Sequence, residues 1–572
     1  MKVLFATLHY AHLRNFDSVV RELAARGHQV HLADEEPEAL GGQPLVQELA
    51  ASNPSITWDR IPSLEHEGWF DVARRMRESL TYVRALDPRY PDKLRVRAEE
   101  RTSRIVHWST SVPGVGRGAT QAALTQFERL LPASADMVAY LRQHAPDVVV
   151  VSALTYARSR QHDLMKAARA LNIPVAAAIL SWDHLSSKAL VHVAPDMVLV
   201  WNERQRQEAV EMHGLPGDRV VPTGAQCYDH WFTRKPERTR EAFCEAMGLR
   251  PDRPFVLWVH SALTPTPDPP EPHLVVRWLE ALRAHPDPAL RELGVLVRPH
   301  PERMKEWKGI RLDRFENVAF HGRNPIDRSA RDDYFDSLYH SAAVIGLVTS
   351  AFLEAAIVGR QVLTVTLPEY RLHQEEMIHF QYLTEPYGGP LLSAPTLEAH
   401  FGQLAAAVAT AGTRDERNRA FLHAFVRPGG LDTPATPAFV DALERLHREG
   451  AHAHTPPRLS VLQWAVVGFA RVSRGPIGGW LVRDARGDAL VAHRMWREVA
   501  RLRRVVANER HQRRKAFIRG LVAGRDTTLR AAKVTKSLLM RARHRTAVTV
   551  YRTLHVTGIW RGELPGHPRN DE

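Results

Sequence analysis

The chain has 572 residues, 44% of them hydrophobic and 25% charged, a balance that suits globular domains and excludes a chain disordered along most of its length. Only two cysteines occur, Cys227 and Cys244, which excludes a disulfide framework or a cysteine zinc site and makes a reducing cytoplasm the expected setting. The net charge of +13 is concentrated from Thr455 onward, where 25 Lys and Arg face 8 Asp and Glu, so the basicity says nothing about what the main body binds.

The opening run Val3–Leu8 is too short for the apolar stretch of a secretion signal and reads as a buried strand. Phe16–Arg26 is an amphipathic helix stopped by Gly27, and Gln29–Ala33 is the next strand. From about 60 to 140 the pattern changes to long charged helices, Trp69–Leu86 and Ala119–Arg142, which read as a helical insertion. Alternation resumes with Val148-Val149-Val150-Val151, a β-branched run suited to a strand buried on both faces. Helix Leu164–Leu171 and strands Pro174–Leu180, Met197–Trp201 and Val220–Pro222 follow. A second series starts near 254, with strands at Phe255–Val259, Gly294–Arg298, Val318–Phe320, Ala343–Val348 and Val362–Val365, and helices at Val275–Ala284, Phe352–Val358 and Thr396–Thr410. No run of 18 apolar residues occurs, so no spanning helix is expected.

This pattern predicts an α/β protein. Residues 1–235 form an N-terminal Rossmann-like domain with the insertion at 60–140, residues 250–450 a second Rossmann-like domain, and residues 455–572 a basic, mainly helical extension. Ligands of such sheets bind at the carboxyl ends of the strands, here in a cleft between the two domains.

Two stretches of the second domain suit nucleotide chemistry. In Val297-Arg298-Pro299-His300-Pro301 two prolines hold His300 on a rigid extended turn, with Arg298 offering a planar fork to phosphate and His300 one further donor. In Val348-Thr349-Ser350-Ala351-Phe352-Leu353-Glu354, Thr349 and Ser350 stand at a helix start, where free N–H groups favour an anion, and Glu354 can accept from ribose hydroxyls. The competing readings are a turn that caps itself at His300 and an ordinary helix start at Ser350. The spacing of these two motifs resembles the donor domain of GT-B glycosyltransferases. It is most similar to bacterial surface-polysaccharide transferases and CDP-glycerol glycerophosphotransferase-like proteins. Val221-Pro222-Thr223-Gly224-Ala225-Gln226-Cys227-Tyr228-Asp229 resembles the V-x-G-x-x-x-x-D that leaves the first domain of such proteins, and Thr349-Ser350 departs from their Ser-Ser or Gly-Gly. The resemblance implies a GT-B fold, a nucleotide-activated donor as substrate and no further cofactor.

On the first domain the loop His9–Phe16 faces the same cleft, and His12, near an ordinary pKa of about 6.5, is the first candidate for taking an acceptor proton. Ser181-Trp182-Asp183-His184, after a strand end, offers Asp183 as a base or as a group that orients one, and Trp182 as a platform for a sugar face. Each is equally read as a packing or capping residue. No Asp-x-Asp pair and no P-loop motif occur, and the histidines lack metal-ligand spacing, so no metal is expected.

The reading is a cytoplasmic glycosyltransferase acting on a nucleotide sugar and a polysaccharide or lipid-linked acceptor. The alternatives are a glycerophosphotransferase, a sugar-nucleotide 2-epimerase and a non-catalytic nucleotide-sugar-binding scaffold. The arginines of 455–572, with Trp464 and Trp480, suit a peripheral contact with an anionic membrane, with packing on the body as the rival use and nucleic acid disfavoured.

Overall fold

Valines 148 to 151 are all inaccessible, and successive side chains enter opposite cores. Val148 and Val150 pack with Phe5, Val19 and Phe439, whereas Val149 and Val151 pack with Leu4, Leu164 and the helical insertion. That division is what a strand covered on both faces requires. The computed structural model describes residues 1–452 except 37–41, 89, 91, 112–115, 153, 157, 264–265, 326–327 and 413–415, and beyond them residues 465, 466, 468, 469 and 472.

The first sheet contains β1 (Lys2–Thr7), β2 (Gln29–Asp34), β3 (Ile56–Arg60), β4 (Val148–Ser152), β5 (Val175–Ala178), β6 (Met197–Val200) and β7 (Val220–Pro222). The second contains β8 (Phe255–Val259), β9 (Gly294–Arg298), β10 (Val318–Phe320), β11 (Ala343–Ile345), β12 (Gln361–Val365) and β13 (Leu391–Ala394). Their orders are β3-β2-β1-β4-β5-β6-β7 and β10-β9-β8-β11-β12-β13, parallel throughout. Both are Rossmann orders, with the reversal between β1 and β4 in one and between β8 and β11 in the other. The crevices where a ligand sits are therefore at the loops after β1, β4, β8 and β11.

The insertion comprises helices from Phe70–Ala85 to Ala135–His144. The expected single helix over 119–142 is two, because Pro132 cannot continue the first and Ser134 caps the second by accepting from the Met137 amide. A buried quartet ties the insertion to the helix Gln161–Ala170. Arg77 bonds Glu128 at 2.9 Å and Asp163 at 2.7 Å, and Lys166 lies 2.6 Å from Glu128.

Near its end the body returns to where it began. Helix Ala435–Glu449 lies beside helix Asp17–Ala25, burying Phe439, Val440 and Leu443 against Phe16 and Val19, although its sequence follows the second series. The joint is residues 221–229. Gly224 is at φ +91°, and a Cβ there would stand 2.7 Å from that of Ala435, so only glycine lets the returning chain approach. The Asp229 carboxylate accepts from the amides of Ala435 at 2.9 Å and Thr436 at 2.7 Å, and from Arg427 at 2.8 Å. It caps a helix 206 residues downstream in sequence.

Of the basic extension, only residues 465, 466, 468, 469 and 472 are described. Val466 packs on the core shared with the insertion, and the Phe469 ring meets that of Phe127 at 6.3 Å. Trp464, Trp480 and the arginine-rich stretches lie outside the described residues. Among the described residues no helix is long and apolar enough to cross a membrane.

Candidate functional site

The loop after β1 is a tight 3-10 turn, Tyr10–Asn15, with Tyr10 and Leu13 buried beneath it. That anchoring leaves Arg14 exposed, with no hydrogen bond or ion pair among the described residues. Arg14 reaches across to the second domain and acts electrostatically on Glu354, Tyr334 and His300. The carboxyl ends of the two sheets thus face one another, the GT-B arrangement expected from sequence.

On the opposite side β11 runs into Gly346, where a Cβ would come within 2.8 Å of the Val259 carbonyl, so this turn packs directly on the end of β8. Thr349 accepts from the Ala351 amide at 3.2 Å and so caps the following helix Ala351–Ile357, while Ser350 is exposed and makes no cap bond. Glu354 stands one turn on. The Tyr334 hydroxyl donates to its Oε2. Burial pushes the Glu354 carboxyl up to about 7, against the opposing pull of Tyr334 and Arg14.

Arg298 is not a free fork. It is buried, bonds Asp333 at 3.0 Å, and places its guanidinium 5.3 Å from the centre of the Tyr334 ring. It positions Tyr334, which holds Glu354. Sequence could not show this, because Asp333 and Tyr334 arrive on the helix Arg328–His340. Arg298→Ala should therefore lower stability by about 3 kcal/mol, the low end for breaking a buried pair because Arg238 still bonds Asp333 at 2.8 Å. An unchanged melting temperature with nucleotide affinity lost would show direct phosphate contact instead.

His300 is half-buried. Its Nδ1 accepts from the Glu302 amide at 3.3 Å, and burial lowers its pKa. A neutral ring accepting at Nδ1 carries its proton on Nε2 and presents that as a donor. The local cap and a ligand role therefore coexist. Behind it His260, at the end of β8, is buried and accepts from Trp307 Nε1 at 3.0 Å.

His12 departs from the expected pKa. Burial, with His184, His9 and Arg14 nearby, lowers it to about 3, so the ring is neutral throughout the physiological range. Burial alone would push Asp183 up, but His184, His379, Lys188 and the Ser181 hydroxyl together hold its carboxyl below the ordinary range. It accepts from Ser181 at 2.8 Å and Ser187 at 2.9 Å, which makes it an anchor of its loop more than a base. Trp182 is not on the cleft wall. It is buried, edge-on to His379 of the second domain with ring centres 5.0 Å apart, so it offers no sugar platform. Beside it Tyr382 donates to Glu208 at 2.9 Å, a hydrogen bond between the domains that sequence did not suggest.

One further group joins ligating side chains. Asp59 lies 2.9 Å from His31 Nε2 and 3.1 Å from His144 Nε2, and accepts from Tyr140 at 2.6 Å, on the β2–β3 side of the first sheet. Three separate elements supply it, so no sequence spacing announces it.

No protein-family model matches this chain. No curated protein matches it either. Solved structures do. The UDP-GlcNAc 2-epimerase from Neisseria meningitidis bound to UDP-GlcNAc has 13% identity and a TM-score of 0.45, covering 78% of this chain and 100% of its own. A glycosyltransferase from Rickettsia africae has 12% identity and a TM-score of 0.44, covering 78% and 98%. The glycosyltransferase VinC in complex with dTDP has 16% identity and a TM-score of 0.37, covering 79% and 100%. Likeness at this level says nothing about chemistry.

Proposed function

We propose that the protein is a metal-independent glycosyltransferase that moves a sugar from a nucleotide-activated donor to a surface-polysaccharide or glycolipid acceptor. One observation carries the reading. Glu354, half-buried at the switch point of the second sheet and held by Tyr334, faces Arg14, which comes from the switch point of the first and has no ion pair among the described residues. A carboxylate with a free oxygen suits a ribose diol, and an adjacent uncommitted guanidinium suits a diphosphate.

In this account Glu354 accepts from the ribose, and Arg14, His300 Nε2–H and the Ser350 hydroxyl donate to the phosphates, with Thr349 shaping the turn. The acceptor oxygen forms a bond to the anomeric carbon. The bond from that carbon to the phosphate oxygen breaks, and its electron pair leaves on the nucleoside diphosphate. The acceptor proton passes to His12, whose imidazole is made a weak base by burial and gains basicity from the charge that develops on the leaving diphosphate. Asp183 positions that side of the cleft. Charge on the leaving group is met by Arg14 and the N–H donors, so turnover should persist in excess chelator. Complete loss reversed by added metal would oppose the scheme.

Glu354→Gln keeps the shape and removes the charge. It should weaken nucleoside diphosphate binding roughly ten- to a hundredfold, the effect of losing a charge-assisted bond of about 1.5–3 kcal/mol. Because the carboxyl is raised to about 7, it is protonated below that pH and accepts fully only above it. Wild-type affinity should therefore rise from pH 6 to pH 8, and the Gln variant should lose that rise. A parallel rise in both proteins, by calorimetry, would remove Glu354 from the site. Product analysis separates the related chemistries: a nucleoside diphosphate marks sugar transfer from most donors, and CMP marks transfer of glycerol phosphate or of a sugar from a CMP-sugar.

The basic extension completes the proposal as a peripheral anchor on anionic membrane. Binding to phosphatidylglycerol vesicles should be strong at low salt and fall steeply as salt rises. Truncation after His454 should abolish it while nucleotide binding remains. Vesicle binding that survives truncation would refute the anchor.

A further inference from the structure

The acceptor side of the cleft carries a surplus of positive charge that the body does not neutralise. Arg97, on the insertion helix Asp92–Glu99, and Arg101, in the turn after it, are exposed. Among the described residues neither makes a hydrogen bond or ion pair. Both lie within electrostatic reach of Lys188, which stands at the end of the short helix after β5. Lys188 Nζ is 4.0 Å from Asp183 Oδ2, and Asp183 already accepts from two serine hydroxyls. Three cations thus gather round one carboxylate whose capacity is largely spent. Glu100 stands beside Arg97 as a second, more distant anion.

The cluster faces the cleft. Arg97 and Asp183 both act on Tyr156, in the loop after β4, and Tyr156 is also within reach of Glu302 of the second domain. The loops that hold the cluster are fixed. Arg84 donates to the Lys188 carbonyl at 2.8 Å, and the Ala189 amide donates to the Thr155 carbonyl at 2.8 Å. Burial of Lys188 lowers its pKa, and the pull of Asp183 in the other direction does not outweigh that burial together with crowding by Arg97 and Arg101.

We propose that Arg97, Arg101 and Lys188 form an anion subsite on the acceptor side, and that the acceptor carries a phosphate or diphosphate ester. A carboxylate is matched by a single fork, whereas two planar guanidiniums and an ammonium match the several oxygens and higher charge of a phosphate. The subsite is distinct from the donor site at Glu354 and Arg14. Calling its ligand an acceptor rests on the transferase reading.

The test titrates the full chain with farnesyl phosphate, farnesol and inorganic phosphate, with the donor site first saturated by the tightest-binding nucleoside diphosphate. Wild type should bind farnesyl phosphate at least tenfold more tightly than farnesol. The Arg97→Ala/Arg101→Ala protein should lose at least tenfold of that affinity and keep its nucleotide affinity. Both arginines are exposed, so folding is not at stake, and Lys188→Gln supplies an independent variant with the same expected loss. Farnesyl phosphate much tighter than inorganic phosphate supports a lipid-linked acceptor, and equal affinity supports a soluble phosphorylated one. Unchanged farnesyl phosphate affinity in the double variant, or farnesol bound as tightly as its phosphate, overturns the subsite. If no nucleoside diphosphate binds wild type, the transferase reading fails, and the subsite stands or falls on the farnesyl phosphate titration alone.

Discussion

Asp229→Ala should destabilise the body by about 3–5 kcal/mol, the cost of removing one partner from a buried charge pair. Arg427 is buried, and its guanidinium is shared between Asp229 and the carbonyl of Leu431, with Phe232 lying 3.7 Å beneath it. Without the carboxylate that charge loses its counter-ion. The amides of Ala435 and Thr436 lose their acceptor at the start of the helix that returns to the first domain. The loss should appear as a lower first transition in thermal unfolding, since two domains need not unfold together. Asp229→Asn keeps an acceptor and should fall between alanine and wild type. An alanine variant that melts with wild type would show that the return helix is held by Phe439 and Leu443 alone.

Arg77→Ala should cost a similar amount, about 3–5 kcal/mol. Arg77 directs all three of its guanidinium nitrogens to Glu128 and Asp163, at 2.7 to 3.0 Å, and almost none of it is accessible. Burial disfavours its charge, but Asp163 and Glu128 more than restore it and hold its pKa above the ordinary value. Glu128 is in turn held below the carboxylate range by Arg77 and Lys166 despite its burial. A carboxyl with a depressed pKa contributes stability above its unfolded value and loses it only as pH falls through the folded one, so this quartet should persist in mild acid. The quartet bolts the insertion to helix Gln161–Ala170, and the insertion carries Arg97 and Arg101. Arg77→Ala should therefore weaken farnesyl phosphate binding while sparing nucleotide binding. Adding Glu128→Gln, Asp163→Asn and Lys166→Gln should recover part of the stability, because the four buried charges are then removed together. No recovery would mean that the side-chain volume matters more than the charge.

The strands were largely legible because parallel strands covered on both faces need continuous apolar runs, as in residues 148–151 and 255–259. β3 escaped notice because it is an edge strand with exposed Thr57 and Trp58, and its alternation is weak. Loops after strand ends located the candidate cleft, since the fold itself directs those loops to it. Which side chain in a loop does the work was not legible. Arg14 stands two residues from His12, and only the burial of Leu13 and Phe16 shows which of the two faces the other domain. Arg298 read as a phosphate fork because Asp333, its partner, is 35 residues away. Asp229 read as part of a motif leaving the first domain, and its work as a cap depends on chain that returns two hundred residues later. Charge pairs of that kind are decided by tertiary contact, which local spacing does not encode.

The account turns on Glu354 as the ribose acceptor, and one comparison tests it. A panel of UDP, GDP, ADP and CDP identifies the tightest ligand, and its 2′,3′-dideoxy analogue is then titrated against wild type and Glu354→Ala. Wild type should prefer the ribose form by at least tenfold, and the variant should bind both forms alike, so that the coupling between carboxylate and hydroxyls appears as a double-mutant cycle. Equal binding of the two forms by wild type, or a preference that survives in the variant, would contradict the account.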